Sequence, residues 1–196
     1  EGKEFKIGMY TGASTGDSLD GALARANAIL FRTPYQSNKD LRSALNDERA
    51  PYFDMHLSSL APHLRFGFMP KPKFAIIEVC EITEDGELIP TSGVGISPTI
   101  ANMADYIIVE LNHNHPKELR GFHDIFEPKD PPHRLPLTLM TPSDRMGVPY
   151  IKVDPKKILC VVETYRDDEV GGFTPTDEVT DKIGQNVAEF LASDMR

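Results

Sequence analysis

Three runs of this chain, Lys73 to Ile82 (KFAIIEVCEI), Tyr106 to Leu111 (YIIVEL) and Lys157 to Glu163 (KILCVVE), are short and strongly apolar. Runs of that length and character read as buried strands. Segments of helical spacing alternate with them. Leu19, Ala22, Leu23, Ala26, Ile29 and Leu30 predict a helix from about Asp17, with Asp17 or Ser18 as its cap. A second helix is predicted from Asn38 to Leu45. Ser97-Pro98 has the form of a cap and a first-turn proline for a helix ending near Asp105. Thr174-Pro175-Thr176-Asp177 opens a closing amphipathic helix marked by Val179, Ile183, Val187, Phe190 and Leu191. Lys6 to Thr11 reads as a further short strand, and Leu88 to Thr91 begins another after the turn Glu84 to Glu87. Buried strands alternating with helices imply an α/β fold, a mostly parallel sheet flanked by helices. No domain boundary interrupts residues 1–196. His113 to Pro149 breaks the pattern with seven prolines, and reads as a long irregular excursion of the kind that serves function or an interface.

Composition sets outer limits. With 196 residues, 40% of them hydrophobic, the chain can bury a core without disulfide or metal staples. Its 21 basic and 30 acidic residues give a net charge of −9, which argues against nucleic acid or an anionic membrane as partner. The longest apolar run, Ile158 to Val162, is far too short to span a bilayer. Cys80 and Cys160, both in apolar stretches, read as reduced core residues of a cytoplasmic protein. The chain opens on a glutamate and enters a strand almost at once, as a fragment would.

Several local patterns bear on chemistry. Gly12-Ala13-Ser14-Thr15-Gly16 lies between a predicted strand and a predicted helix. Three readings stand side by side. Ser14 is a nucleophile at a strand-to-helix elbow, with Asp105 and His113, His115 or His123 as partners. The loop presents backbone N–H groups and a hydroxyl to a carboxylate or phosphate. Or it is a tight turn that needs its glycines. Gly93 to Pro98 is a second glycine turn opening a helix, read either as anion-facing or simply as a turn. His113 and His115 would point to one side of an extended segment, as metal ligands do, but no third ligand falls at recognised spacing and no metal site is assigned. His123, beside Asp124, reads as a loop-anchoring hydrogen-bonder. Glu163 to Glu169 reads as a solvated turn.

Seven stretches taken together resemble one family: TGASTGDSLDGALARA (Thr11 to Ala26), RTPYQSNKDLR (Arg32 to Arg42), YFDMHLS (Tyr52 to Ser58), ITEDGELIPTSGVGISP (Ile82 to Pro98), IIVELN (Ile107 to Asn112), GFHDI (Gly121 to Ile125) and DPKKI (Asp154 to Ile158). In this order they resemble the acetyl-CoA hydrolase/transferase family of class I CoA-transferases, from about Ile7 to Leu191. The resemblance implies the N-terminal domain type of that family and transfer of CoA between an acyl-CoA and a free carboxylate of the acetate, butyrate or succinate class. A glutamyl-CoA intermediate carries the transfer, and water as acceptor gives hydrolysis. It implies no permanently bound cofactor, coenzyme A being a substrate, and a homo-oligomer. The catalytic glutamate is expected in a C-terminal half that this chain lacks. Glu78, Glu81, Glu110 and Glu163 lie outside the family's catalytic motif and are read as strand or turn residues. Carried over residue by residue, the acyl or carboxylate pocket takes Gly12, Ala13, Ser14, Ser37, Val94, Gly95 and Ser97. Ile96 stands where the family often has asparagine. The resemblance displaces the serine-hydrolase reading of Ser14, which stays as the alternative. No arginine stands at an obvious place to pair a second carboxylate, Arg166 being the one candidate, and this favours monocarboxylates such as acetate, propionate or butyrate.

Overall fold

The computed structural model describes residues 5–12, 16–169 and 172–194. Seven strands divide into two sheets. β1 (Ile7–Tyr10) pairs in parallel with β2 (Ile29–Thr33) in a two-stranded sheet. The larger sheet has the order β6-β4-β3-β5-β7, from β3 (Phe74–Ile82), β4 (Glu87–Pro90), β5 (Tyr106–Asn112), β6 (Ile151–Lys152) and β7 (Ile158–Thr164). β3, β5 and β7 are mutually parallel, and β4 and β6 extend the sheet in antiparallel fashion. Five helices accompany them: α1 (Ala22–Arg25), α2 (Lys39–Asn46), α3 (Leu60–Arg65), α4 (Ser97–Met103) and α5 (Glu178–Asp194). The α/β class read from the sequence holds.

Helices α3 and α4 cover one face of the large sheet. Leu60, Leu64, Ile100 and Ala101 pack there on Ala75, Ile77, Val79, Ile107 and Val109. The opposite face is open among the described residues, with Phe74, Ile76 and Tyr106 exposed. The first residues of β3 therefore alternate exposed and buried, and β5 alternates buried with half-buried positions after an exposed Tyr106, where the sequence suggested strands buried throughout. A continuous apolar run fits either case, and only the placement of the helices decides.

Local corrections have local causes. The predicted helix from Asp17 stops at Arg25 after a π-helical turn at Asp17–Gly21, and Ile29 and Leu30 belong to β2. Their helical spacing is outweighed by pairing with β1, on which Ile7 faces Ile29. Gly16, not Asp17 or Ser18, caps that turn, and the Asp17 carboxylate instead binds Arg25 and Asn38. Hydrogen bonds from Arg25 and Asn38 hold the Asp17 carboxyl below its ordinary range. Asn38 caps α2 by accepting from the Asp40 and Leu41 amides. α4 begins at Ser97, with Ile96 at the cap and proline in the first turn. Asp177, not Thr174, supports the start of α5 by accepting from the Thr180 amide.

The excursion after β5 holds a short 3-10 turn at Lys117–Leu119 and one bridge, Ile125 with Val148, and is otherwise irregular. Leu135, Leu137, Leu139 and Met140 are exposed in it and none of them lies in a strand. Cys80 is buried as expected, and burial pushes its thiol up. Cys160 is exposed, contrary to expectation, because β7 is an edge strand that no other described element covers.

Candidate active-site crevice

The carboxyl ends of β3, β5 and β7 lie side by side, since the three strands run parallel. Open α/β sheets gather ligands in the crevice beyond such ends. Three loops converge on this rim: the glycine loop after β1, the turn before α4 and the segment after β7.

Gly12 is pressed against the turn before α4. A Cβ at Gly12 would stand 3.0 Å from the Ile96 amide nitrogen and 3.3 Å from the Gly95 Cα. Only glycine permits that approach without displacement. Gly95 takes φ +50°, which lets Val94 to Ser97 fold tightly, with the Ser97 amide donating to the Val94 carbonyl. That bond occupies the Ser97 N–H, so the hydroxyl is the group it has left for a ligand. At the far end of the loop, the Glu169 carboxylate fills the space where a Cβ at Gly16 would stand. Ala13, Ser14 and Thr15 lie outside the described residues. Tyr10, just before the loop, buries its hydroxyl without a hydrogen-bond partner among the described residues, and burial pushes its pKa up.

The loop is anchored from below. Arg32 on β2 and Asp20 on the turn after Gly16 form a bidentate pair, Nε to Oδ1 at 3.1 Å and Nη2 to Oδ2 at 2.9 Å, with both side chains fully buried. Arg32 Nη1 also donates to the Tyr35 carbonyl. Planar two-point contacts of this kind fix orientation as well as distance. Ser37 is exposed between β2 and α2, its carbonyl accepting from Arg42.

On the other side of Val94 to Ile96 lies a cavity of about 550 Å³. α3 contributes Arg65 to it, and the excursion contributes His123, Glu127 and Arg134. Arg65 Nε donates to Asp130 at 2.9 Å, and Thr99 Oγ1 donates to Glu127 at 2.6 Å. His123 is the anchor the sequence suggested: its Nε2 meets the Thr91 carbonyl at 2.6 Å. Its neighbour Asp124 turns elsewhere and accepts from the Met146 and Gly147 amides, which hold its carboxyl below the usual range.

A polar network missed by sequence reasoning closes the rim. Asn112, buried at the end of β5, donates to Glu78 Oε1 and to the Arg166 carbonyl, both at 2.7 Å. Its own Oδ1 accepts from the Asn114 and Arg166 amides. Thr91 donates to Glu78, and Ser92 to Asp168. The backbone of Arg166 is thus tied to β5, and the segment from Tyr165 to Glu169 is an organised loop rather than a free turn. The available signal was Glu78 itself, a carboxylate in the apolar strand β3.

His113 and His115 part company. His113 stacks on Tyr165 and faces Glu163 at 3.8 Å, while His115 points to Glu78 and Asp168. Asp105 bonds Lys71 just ahead of β5, and the histidines follow its other end. Seven residues of strand separate them, on the order of 20 Å, so Asp105 completes no triad with His113 or His115.

Comparison with known proteins agrees with this architecture. The family described as the acetyl-CoA hydrolase/transferase N-terminal domain matches residues 1–163. The chain is 40% identical over 189 residues to a succinyl-CoA:acetate CoA-transferase of Clostridium kluyveri, covering 96% of this chain and 35% of that protein. It is 39% identical over 200 residues to an acetyl-CoA hydrolase of Yarrowia lipolytica, covering 99% of this chain and 38% of that protein. A propanoyl-CoA:succinate CoA transferase of Escherichia coli is 35% identical, with 98% and 39% covered. The chain therefore spans somewhat over a third of the length of these relatives. Among solved structures, the E249D variant of RipA shares the fold with a TM-score of 0.55 at 13% identity, over 90% of this chain and 36% of that one. The chain belongs to the acetyl-CoA hydrolase/transferase family, matching its N-terminal domain.

Proposed function

We propose that the whole protein is a CoA-transferase acting between an acyl-CoA and a small carboxylic acid, and that this chain supplies the carboxylate-pocket half. The observation that carries this reading is the contact of Gly12 with Gly95 and Ile96, which joins two loops some eighty residues apart into one wall. By the family resemblance, Gly12, Ala13, Ser14, Ser37, Val94, Gly95 and Ser97 make up the acyl or carboxylate side. Backbone N–H groups and hydroxyls suit a carboxylate there because they bind it without competing as bases.

The nucleophile is a glutamate of the C-terminal domain. Its carboxylate attacks the thioester carbonyl and expels the CoA thiolate, leaving an acyl–glutamyl anhydride. The thiolate attacks the glutamyl carbonyl, releases the first carboxylate and forms glutamyl-CoA. The acceptor carboxylate repeats the two steps in reverse. Water in its place gives hydrolysis, the activity named for several relatives. The protein works in the cytoplasm as a homo-oligomer, with coenzyme A as substrate and no permanent cofactor.

The test uses the full-length protein with acetyl-CoA and propionate or succinate. Propionyl-CoA or succinyl-CoA forms, and hydroxylamine or borohydride trapping modifies a glutamate outside residues 1–196. The isolated chain turns over neither. A stable fluorophosphonate adduct on Ser14, with no transfer and with loss of activity in Ser14→Ala, would establish the serine-hydrolase alternative instead.

A further inference from the structure

We propose that Glu78, His115 and Asp168 form a binding site for a zinc-class divalent cation on the rim of the crevice. The three side chains come from β3, from the loop after β5 and from the loop after β7. Their ligand atoms all lie within 4.8 Å of one another. His115 Nε2 stands 3.5 Å from Asp168 Oδ1 and 3.8 Å from Glu78 Oε1.

Those separations are too long for hydrogen bonds, whose N···O distances fall at about 2.7–3.2 Å. The 3.5 Å separation is that of ligands sharing a metal, and the 3.8 Å one lies slightly beyond it, so that Glu78 closes by a few tenths of an ångström on binding. Nitrogen and oxygen donors at ~2.0–2.2 Å from zinc, set at tetrahedral angles, stand about 3.3–3.6 Å apart. His115 Nε2 is buried without a hydrogen-bond partner among the described residues, and the side chain is only 13% exposed. A buried ring nitrogen left unpaired is costly, and a metal bond satisfies it. Two carboxylates and a neutral imidazole carry two negative charges, which a divalent cation balances.

The surroundings are those of a supported site. Asn112 and Thr91 hold the two oxygens of Glu78, and Ser92 donates to the second oxygen of Asp168. Outer hydrogen bonds of this kind orient ligating groups and tune their basicity. An imidazole with two carboxylates selects zinc over magnesium or calcium, which prefer oxygen alone. Three protein ligands leave a fourth position for water or for a substrate oxygen. A bound ion would pin the loop after β7 to the sheet, one residue from the Glu169 that abuts Gly16.

The experiment takes untagged full-length protein, stripped with a chelator, and titrates it with zinc chloride by calorimetry. One equivalent binds, and the wild-type melting temperature rises with zinc. Asp168→Asn, on the more exposed loop, and His115→Ala each weaken binding at least tenfold and abolish that rise. Ser92→Ala weakens it by on the order of tenfold. Absence of stoichiometric zinc binding overturns the proposal. So does equal affinity in the folded Asp168→Asn variant. So does an NMR spectrum in which both His115 ring nitrogens keep their protons with zinc present, since the cluster is then an imidazolium held by two carboxylates.

Discussion

β5 and β7 are neighbours in one parallel ladder and draw on the same residue types, yet they live in different environments. Ile107 and Val109 of β5 are fully buried under α3 and α4. Leu159, Val161 and Val162 of β7 are 59%, 44% and 47% exposed. α4 and α5 differ in the same way: Ile100 and Ala101 enter the core, whereas Val179, Ile183, Val187, Phe190 and Leu191 lie exposed. Hydrogen-bond pairing thus extends farther across the sheet than side-chain burial does. The region from β1 to Val153, just past β6, holds both core clusters, and the region from β7 onward has the composition of a core without a cover among the described residues. Apolar faces of that size on one domain mark surfaces that pack against something else.

The contrast can be broken at its buried end first. Arg32→Ala leaves Asp20 charged and buried, so urea unfolding of this chain shows a loss of about 3–5 kcal/mol. A change below ~1 kcal/mol would mean that the pair does not anchor the glycine loop. Next comes the matched pair of strand truncations. Ile107→Ala costs about 2–5 kcal/mol, while Leu159→Ala stays within about 0.5 kcal/mol in the same assay. In the full-length protein Leu159→Ala becomes costly if the remaining sequence covers β7. Equal costs in the isolated chain would erase the distinction between the two strands.

The smallest effect is at Asp124, where the excursion is clamped to itself. Its folded pKa lies below the ordinary value of about 3.9, because the Met146 and Gly147 amides stabilise the carboxylate. A depressed carboxylate contributes above its unfolded value and loses that contribution as pH falls through the folded one. The Gly147 amide therefore keeps its chemical shift from neutrality to about pH 4 and moves below it. In Asp124→Asn that acid-side movement disappears. A Gly147 shift that titrates identically in the variant would show that another group governs the clamp.

The strands β3, β5 and β7 and the helices α2, α4 and α5 were legible because their signals are local. Apolar runs, cap residues and 3.6-residue spacing act within a few residues of the chain. Local signals misled where two periods fit the same residues, as at Ile29 and Leu30, since pairing with β1 is decided by a segment twenty residues away. The resemblance of seven stretches to a known family marked the glycine loop and the Val94 to Ser97 turn as parts of one pocket. That their backbones touch depends on how the two sheets meet, which no spacing records. The same holds for Glu78, His115 and Asp168. Each alone reads as an ordinary strand or loop residue, and only the parallel order of β3, β5 and β7 sets them around one point. Sequence determines which segments form strands and helices, because those choices are made by neighbours in the chain. Tertiary structure decides which faces are covered and which side chains meet, because those depend on contacts between residues far apart in the chain.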